Sequence, residues 1–329
     1  MVPGLKPLVF VTGGSGFVGG ALIRSLKADY TVRAMARSES SAAKVARLGA
    51  TPVLCSLSDV LPEHLEGCQT VVHCAAETKE WAPPGVYEST NTTGTVRLLA
   101  VARSAGVGRF VHLSTDSVLS TGGPLRAVDE SFPMPSKWPF KYAATKAAGE
   151  RAVIAANDPP TFETVAIRPC LVWGPGDTTI VPTIKAMVEK GQFMWIGGGH
   201  HSISTTNIAN LISGIRLAMG PLGSGEVFYI TDNETTMMRD FFIRYLGANG
   251  TQLPARSVPA PPVALAALII ESLWRILRPN SQPPLTRFAV ALLSREHYIE
   301  TDKASRVLDY RPIVTIDAGM EAIRSAVGA

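Results

Sequence analysis

The sequence predicts an α/β fold: a doubly wound parallel sheet followed by a smaller and more irregular C-terminal lobe. Three observations carry that expectation. Between residues 8 and 170, short runs rich in β-branched and aliphatic residues alternate with segments whose apolar positions recur at helical spacing. This is the pattern of a parallel sheet covered by helices on both faces. The first run enters a glycine-rich turn that leads directly into an amphipathic helix. Beyond Gly174 the alternation breaks up, as Pro182, Gly191, the turn at Gly197, Gly198 and Gly199, and then Pro254, Pro259, Pro261 and Pro262 cut the chain into shorter pieces.

Taken in order, Leu8–Thr12 is the first strand and residues 17–28 the first helix. Thr31–Ala36 follows as a strand, residues 41–48 as a helix, Thr51–Leu54 and 70–74 as strands, and 91–105 as a helix that Gly106 stops. Residues 109–114 form a strand, 142–156 a helix and 164–168 a strand. Each of the six strands is short and rich in Val, Ile, Leu or Thr, so all are expected to be central and buried on both faces.

Composition narrows the class. The chain has 329 residues, 46% hydrophobic and 18% charged, which excludes disorder, collagen-like repeats and a small disulfide scaffold. Its 31 Lys and Arg against 27 Asp and Glu leave +4, with no basic run of five or more, so nucleic acid is not an expected partner. The four cysteines, Cys55, Cys68, Cys74 and Cys170, form no Cys-x-x-Cys pair and no zinc spacing with a histidine. No metal site and a reduced, cytoplasmic compartment are expected. The N-terminus carries Lys6 and two prolines and breaks into glycines before a signal-peptide core can form, so no targeting segment is read there. Residues 263–277 are strongly apolar but about 15 long and interrupted by Glu271 and Ser272, short of the roughly 20 needed to span a bilayer. They are expected to lie against something apolar, to border a cleft, or to form a core helix of the second lobe.

Two constellations carry chemistry. Thr12 through Gly19 reads Thr-Gly-Gly-Ser-Gly-Phe-Val-Gly between the first strand and the first helix. The free N–H groups of a helix start point there, where a pyrophosphate binds. The glycines phase either as Gly14, Gly16, Gly19 or as Gly13, Gly16, Gly19. Either phasing makes residues 1–174 an NAD(P)-binding Rossmann domain and 175–329 mainly a substrate-binding lobe, with some return of the chain to the sheet. At the end of the second strand, where an acid selects NAD, the chain reads Met35, Ala36, Arg37, Ser38. Arg37 and Ser38 suit a 2′-phosphate, which favours NADP; in the other reading Glu39 takes the ribose and NAD is used. The second constellation is Tyr142 and Lys146, four apart and so on one helix face. The cation is expected to lower the phenol pKa and make Tyr142 a usable acid or base. Ser114 and Thr115 end a strand, beside the expected cofactor crevice.

With these residues in place, the chain resembles the extended short-chain dehydrogenase/reductase family over nearly its whole length. The matching pieces are Thr12 to Gly19; His73, Cys74, Ala75, Ala76; Asn91 with Gly94 and Thr95; Arg109 to Thr115; Asp129, Glu130 and Pro133; Tyr142 with Lys146; Arg168 and Pro169; and Trp173 to Gly176. The resemblance implies that Thr115 is the catalytic hydroxyl, Tyr142 the acid/base, Lys146 the ribose-binding cation and Asn91 a polar helper. It also implies cofactor contacts from Gly13, Ser15, Gly16, Phe17, Val18, Gly19, Arg37, Ser38, Ser56, Leu57, Ala75, Ala76, Tyr142, Lys146 and Pro169. Where the family has Gly-Asp-Leu after the third strand, this chain has Cys55, Ser56, Leu57, leaving Ser56 as a weaker acceptor for the adenine amino group.

Within the family, sugar-nucleotide enzymes carry an Asn and an Arg after the sixth strand to hold a diphosphate. Leu171 and Gly176 stand there, so a sugar nucleotide is disfavoured. Ser114, Thr115 and Asp116 are similar to the dTDP-glucose 4,6-dehydratase group, but Ser117 replaces its following Glu. The run Arg168 to Asp177, the Ile196 to Gly199 turn, Thr206 to Ala209, and Leu308, Tyr310 and Pro312 resemble the 3β-hydroxysteroid dehydrogenase branch. That implies hydroxyl/ketone oxidoreduction on a steroid-like or β-keto lipid substrate, with residues 263–277 and Trp274 near its entrance or a membrane surface. A homodimer through the helices at 91–105 and 142–156 is also expected. Trp81, with Glu77, Thr78 and Lys79, is a candidate lining of the cleft, and His200 and His201 are read as loop residues. The alternatives are an epimerase or dehydratase that retains its cofactor, and a non-catalytic NADP-binding protein.

Overall fold

The computed structural model describes residues 6–79, 81–83, 85–278 and 281–327. Most of the N-terminal stretch read for a targeting signal lies outside them. The elements run β1 (Leu8–Thr12), α1 (Phe17–Leu26), β2 (Thr31–Ala36), α2 (Glu39–Leu48), β3 (Thr51–Leu54), β4 (Thr70–His73), α3 (Gly94–Ser104), β5 (Arg109–Leu113), β6 (Leu125–Val128), α4 (Lys141–Ala155) and β7 (Glu163–Pro169). Then follow β8 (Leu171–Trp173), α5 (Ile180–Glu189), β9 (Trp195–Ile196), β10 (Ser202–Asn207), α6 (Ile208–Ala218), β11 (Glu226–Ile230), β12 (Thr235–Met237), α7 (Met238–Ala248), β13 (Ser257–Val258), α8 (Ala260–Leu277), α9 (Arg287–Ser294), β14 (His297–Ile299), α10 (Asp302–Val307) and α11 (Ile316–Val327).

The main sheet has seven strands in the order β11-β7-β5-β4-β1-β2-β3, and every pairing is parallel. Strand order reverses between β1 and β4, which opens a crevice at their carboxyl ends. Alternation along β1 explains the two layers of core: Val9 and Val11 pack with Leu22, Ile23 and Leu26 of α1, while Phe10 on the opposite face packs with Leu98 and Leu99 of α3. All of these are fully or nearly fully buried, so the sheet is a rigid platform for what projects from its upper edge.

Two expectations need correction, the place of β3 and the start of the third helix. Thr51–Leu54 is not central: β3 pairs only with β2, and Leu54 is 58% exposed, because the sheet ends there. A further strand, β11, returns from the C-terminal half and pairs with β7, from Glu226 against Val165 to Ile230 against Pro169. The helix expected from residue 91 is preceded by a π-helical turn, Glu88–Thr93, and becomes regular only at Gly94. A single wide turn of this kind rotates side chains out of the helical register.

A smaller sheet, β12-β10-β14-β6 with β8 beside β10, packs a second core of Trp173, Phe241, Tyr245 and Met320. Its edge strand β6 comes from the N-terminal half of the sequence, so the chain crosses between the lobes in both directions. Helix α8 is longer than expected, and only Ala267 and Glu271 along it are buried. It is therefore not a core helix: Leu265, Ile269, Ile276 and Leu277 are all more than half exposed.

Candidate active site

At the crevice, β1 runs into a turn whose glycines are there for space. Gly13 has φ of 68°, and a Cβ on it would meet Ala75 N at 2.7 Å. A Cβ on Gly19 would lie 2.3 Å from the Gly13 carbonyl oxygen, where α1 packs on the turn. Gly16 caps α1 without any side-chain hydrogen bond, and no acidic residue occupies the first turn. The N–H groups there, including those of Phe17 and Val18, face outward for an anion. Ser15 lies on the same rim. The loop carrying Ala75 and Ala76 is tied down over Gly13, because Ala75 N–H donates to Thr12 Oγ1 at 3.1 Å.

That tie is one end of a chain through the sheet. Thr12 Oγ1 lies 2.7 Å from His73 Nδ1, His73 Nε2 lies 3.0 Å from Thr95 Oγ1, and Thr95 donates to the Asn91 carbonyl at 2.8 Å. Thr95 has one proton and gives it to Asn91, so His73 Nε2 carries the hydrogen and Nδ1 accepts from Thr12. Burial and the nearby Lys146 push His73 down to about 3, which keeps the imidazole neutral.

At the adenosine end, Arg37 is exposed at the close of β2. Ser38 is committed to local structure: it caps α2, accepting from Ser41 N–H at 3.3 Å, with Ser41 Oγ returning to Ser38 N–H at 3.0 Å. Ser56 is not alone at the adenine position, because its N–H and hydroxyl both donate to Asp59 Oδ1, at 2.5 and 2.8 Å. Those bonds hold Asp59 below the usual carboxylate range. A carboxylate thus reaches this corner from three residues further along than the family motif has it. Leu57 is buried under Gly94, and Pro169 is buried at the end of β7.

The structure brings Thr115, Tyr142 and Lys146 together above β5. Thr115 follows the strand and caps a short 3₁₀ turn, Asp116–Leu119. Tyr142 and Lys146 lie one turn apart on α4, but their electrostatics differ from the sequence expectation. Lys146 Nζ donates to the Leu113 carbonyl at 2.6 Å and lies 3.5 Å from His112 Nε2. Burial lowers Lys146 to about 8, against Glu150 and Cys74, which raise it. Tyr142 is pushed up to about 12 by burial, with the Thr115 hydroxyl lowering it and Asp116 raising it. Lys146 is not among the groups acting on the phenol, because its charge is turned to the end of the sheet. The ring of Tyr142 itself stays partly open, although its phenol is surrounded by protein.

Asn91, carried inward by the π turn, braces rather than reaches. Its Oδ1 accepts from Glu77 N–H at 2.8 Å, and its Nδ2 donates to the Glu77 carbonyl at 3.1 Å and to Thr145 Oγ1 at 3.3 Å. Behind the triad, Glu150 accepts from Ser114 Oγ at 2.5 Å and takes a two-pronged contact from Arg168, Nε at 2.9 Å and a terminal nitrogen at 2.5 Å. On the other side, Thr115 donates to Asp116 Oδ1 at 2.9 Å, and His297 Nε2 lies 2.7 Å from Asp116 Oδ2. Burial would raise Asp116, but His297, Thr115 and Cys170 outweigh it and hold the carboxyl below its ordinary range. Asp116, Cys170 and His297 have their donor atoms within 4.8 Å of one another, a grouping that sequence spacing concealed.

A cavity of about 280 Å³ opens onto Tyr142. Its wall is aromatic: Phe288 of α9 packs edge-on against Tyr142, ring centroids 5.8 Å apart, and against Phe140 at 5.2 Å. Trp81 and Tyr87 complete it from the loop after β4, and Glu271, Arg275 and Arg287 close the α8–α9 side. Trp81 was legible as a lining residue, but Phe288, Arg287 and His297 were not, since nothing in local spacing links them to residues more than 100 positions away. Glu150 had a signal: it lies four after Lys146, on the same helix face. His200 and His201 line a separate polar hollow with Arg126 and Arg295.

Three comparisons bear on this geometry. Residues 10–260 match the 3-beta hydroxysteroid dehydrogenase/isomerase family. The chain is similar to the 4-hydroxy-2-methyl-3-oxo-4-farnesyl-3,4-dihydroquinoline-1-oxide ketoreductase of Stigmatella aurantiaca, 41% identical over 321 residues that cover 96% of each chain. It is 32% identical over 331 residues to the 2-alkyl-3-oxoalkanoate reductase of Stenotrophomonas maltophilia, covering 98% of this chain and 99% of that one. Among solved structures, the UDP-glucuronic acid 4-epimerase of Bacillus cereus in complex with NAD matches with a TM-score of 0.73 at 20% identity, over 97% of this chain and 99% of that one. At that identity the likeness is one of fold.

Proposed function

The chain belongs to the 3-beta hydroxysteroid dehydrogenase/isomerase family and is an oxidoreductase; from that premise we propose that it interconverts a ketone and a secondary alcohol on a hydrophobic substrate, using NADP(H). The observation that carries the reading is the placement of Tyr142, its phenol beside Thr115, on the wall of an aromatic cavity. The ketone and oxoalkanoate named for the relatives combine an apolar body with a reducible carbonyl, and this cavity is built for such a body.

The residues present fit a nicotinamide dinucleotide, because Gly13, Gly16 and Gly19 leave room for it and the uncapped start of α1 offers N–H groups to its pyrophosphate. When bound, that cofactor supplies or accepts the hydride. The chain does the rest. Tyr142, protonated near neutral pH, donates its phenolic proton to the carbonyl oxygen as that oxygen gains electron density. Thr115 orients the same oxygen by turning its hydroxyl from Asp116 Oδ1, exchanging one acceptor for another. Lys146 would hold the ribose hydroxyls of the bound dinucleotide with its ammonium. Asn91 acts through Glu77 and Thr145, fixing the loop that covers the cofactor crevice. Run in reverse, the phenolate form of Tyr142 takes the proton of the alcohol.

NADP is favoured over NAD because Arg37 stands exposed at the close of β2, while Ser38 is spent on capping α2. The exposed apolar face of α8, opposite the cavity side that carries Glu271 and Arg275, we assign to a bilayer surface, with Arg278 toward anionic headgroups. A second copy of the chain is assigned to α3 and α4, where Val96 is 48% exposed. The reductase reading is tested by following nicotinamide absorbance with NADPH and NADH separately, against hydrophobic ketones that include 3-ketosteroids and β-keto lipids. NADPH consumption is expected to fall by about 10²–10⁴ in Tyr142→Phe with NADPH binding retained. Full activity in that variant overturns the assignment.

A further inference from the structure

Strand β5 places a histidine where its neighbours are apolar. Phe110 and Val111 are fully buried, and His112, 1% exposed, lies in the same sheet interior. It pairs with His73 and Ala166 across the strands, and its ring centroid is 5.3 Å from that of His73. Burial, with Lys146 and His73 beside it, holds the imidazole well below the ordinary histidine value, so the ring is neutral. Its Nε2 lies 3.5 Å from Lys146 Nζ, and its Nδ1 is buried with no hydrogen-bond partner among the described residues. An ammonium only donates, so Nε2 presents a lone pair and the ring hydrogen sits on Nδ1. That leaves a donor unpaired in the core, which is destabilising. The surroundings of Lys146 show what the lone pair is for. His73 and Cys74 face it from the end of β4, His112 from β5, and Glu150 and Tyr142 from one turn either side on α4. The two imidazoles and the Cys74 thiol are neutral near pH 7, and the Glu150 carboxylate is taken up by Ser114 and Arg168. The ammonium is left to the Leu113 carbonyl at 2.6 Å and the His112 imidazole.

We propose that His112 is a positioning residue for Lys146: its Nε2 lone pair keeps the ammonium charged and in place for the cofactor's ribose, with an unpaired donor in the core as the consequence. The proposal rests on the reductase reading, in which Lys146 is the ribose-binding cation, and adds a second residue to that function. A leucine at 112 would match Val111 and remove the unpaired donor. A purely structural histidine therefore predicts that the leucine variant is at least as stable, with cofactor binding unchanged. A role through Lys146 predicts something else. Without its acceptor the charged form loses a hydrogen bond in a site where burial already disfavours it, so Lys146 gives up its proton at lower pH.

His112→Leu and His112→Phe, the second keeping a ring against His73, are compared with wild type, with Lys146→Met and with the double variant of His112→Leu and Lys146→Met. NADPH affinity is read by nucleotide fluorescence, and the urea stability of the cofactor-free protein alongside it, between about pH 7 and pH 10. In the wild type, affinity is expected to fall and stability to climb through one ionisation at about pH 8. Both features move down by about one pH unit in either His112 variant, as the loss of one hydrogen bond to a charged group supplies, and NADPH affinity at about pH 8 weakens roughly three- to tenfold. In the Lys146→Met background, His112→Leu leaves affinity within about twofold. Nitrogen labelling of histidine reads the tautomer of the wild type directly, and the Nδ1–H form is expected for His112. Unmoved pH profiles, an equal loss of affinity with and without Lys146, or the Nε2–H tautomer overturns the proposal, while ketone turnover leaves the reductase reading standing. If NADPH binds at no pH yet the His112 variants still shift the stability profile, the coupling of His112 to Lys146 holds and the reductase reading fails.

Discussion

Lys146 carries its ammonium into a site with a carbonyl and a neutral imidazole for company, and burial brings it down to about 8. A lysine lowered in this way is charged below that pH at the expense of stability. As pH rises from about 8 toward the ordinary 10.5, the unfolded chain binds more protons than the folded one, and stability increases. Activity runs the opposite way, since the cation is what would hold the cofactor's ribose. Ketone reduction is therefore expected to fall through one ionisation near pH 8, and Lys146→Arg to move that limb beyond the assay range. A limb that stays near pH 8 in the arginine variant assigns it to another group. Tyr142, pushed up to about 12, stays mostly protonated over the same interval while its small phenolate fraction grows with pH, so alcohol oxidation should climb. The identities of Thr115, Tyr142 and Lys146 were legible in the sequence, because a strand end and a helical spacing of four are local features. The sign of the Tyr142 shift was not, since it depends on burial and on Lys146 turning to the Leu113 carbonyl.

Among elements, the turn between β1 and α1 leaves least room for change. A methyl group on Gly19 would strike the Gly13 carbonyl oxygen, so Gly19→Ala must displace α1 from the turn. Loss of NADPH binding, read by nucleotide fluorescence, is expected, together with a destabilisation of about 1–3 kcal/mol in urea titration. Unchanged affinity would show that the pyrophosphate lies elsewhere. Helix α8 makes a different prediction: wild type should float with anionic liposomes, and replacing Ile276 and Leu277 together by Asp should release it without loss of fold. Flotation that survives the double change removes α8 as the contact. The strand and helix pattern up to residue 170 was readable because β-branched runs and helical periods are strong local signals. The edge position of β3 and the wide turn at Glu88–Thr93 were not, since pairing partners and register shifts are set by tertiary packing around Leu57 and Gly94.

At the scale of the whole molecule, the lobes are woven together. Strand β6 serves the small sheet and β11 the large one, and the buried Glu150–Arg168 pair joins α4 to β7 directly beneath the catalytic residues. Removing one partner leaves an unpaired buried charge, so Arg168→Met is expected to cost about 3–5 kcal/mol, measured by urea unfolding, and to loosen Ser114 with it. A loss below 1 kcal/mol would mean that the pair is relieved by water. Some return of the chain to the sheet was expected, but which segment makes it, β11, and the arrival of His297 and Phe288 at the site were invisible to local spacing. They follow from how a crossover chain packs, which no short window of sequence contains. The central claim is net hydride transfer from a freely exchanging cofactor to a hydrophobic ketone, and deuterium tracing with NADPH labelled at the nicotinamide C4 position reads it most directly. The account predicts one cofactor oxidised per ketone consumed, with deuterium on the new carbinol carbon; unlabelled product formed with no net change in nicotinamide absorbance would contradict it.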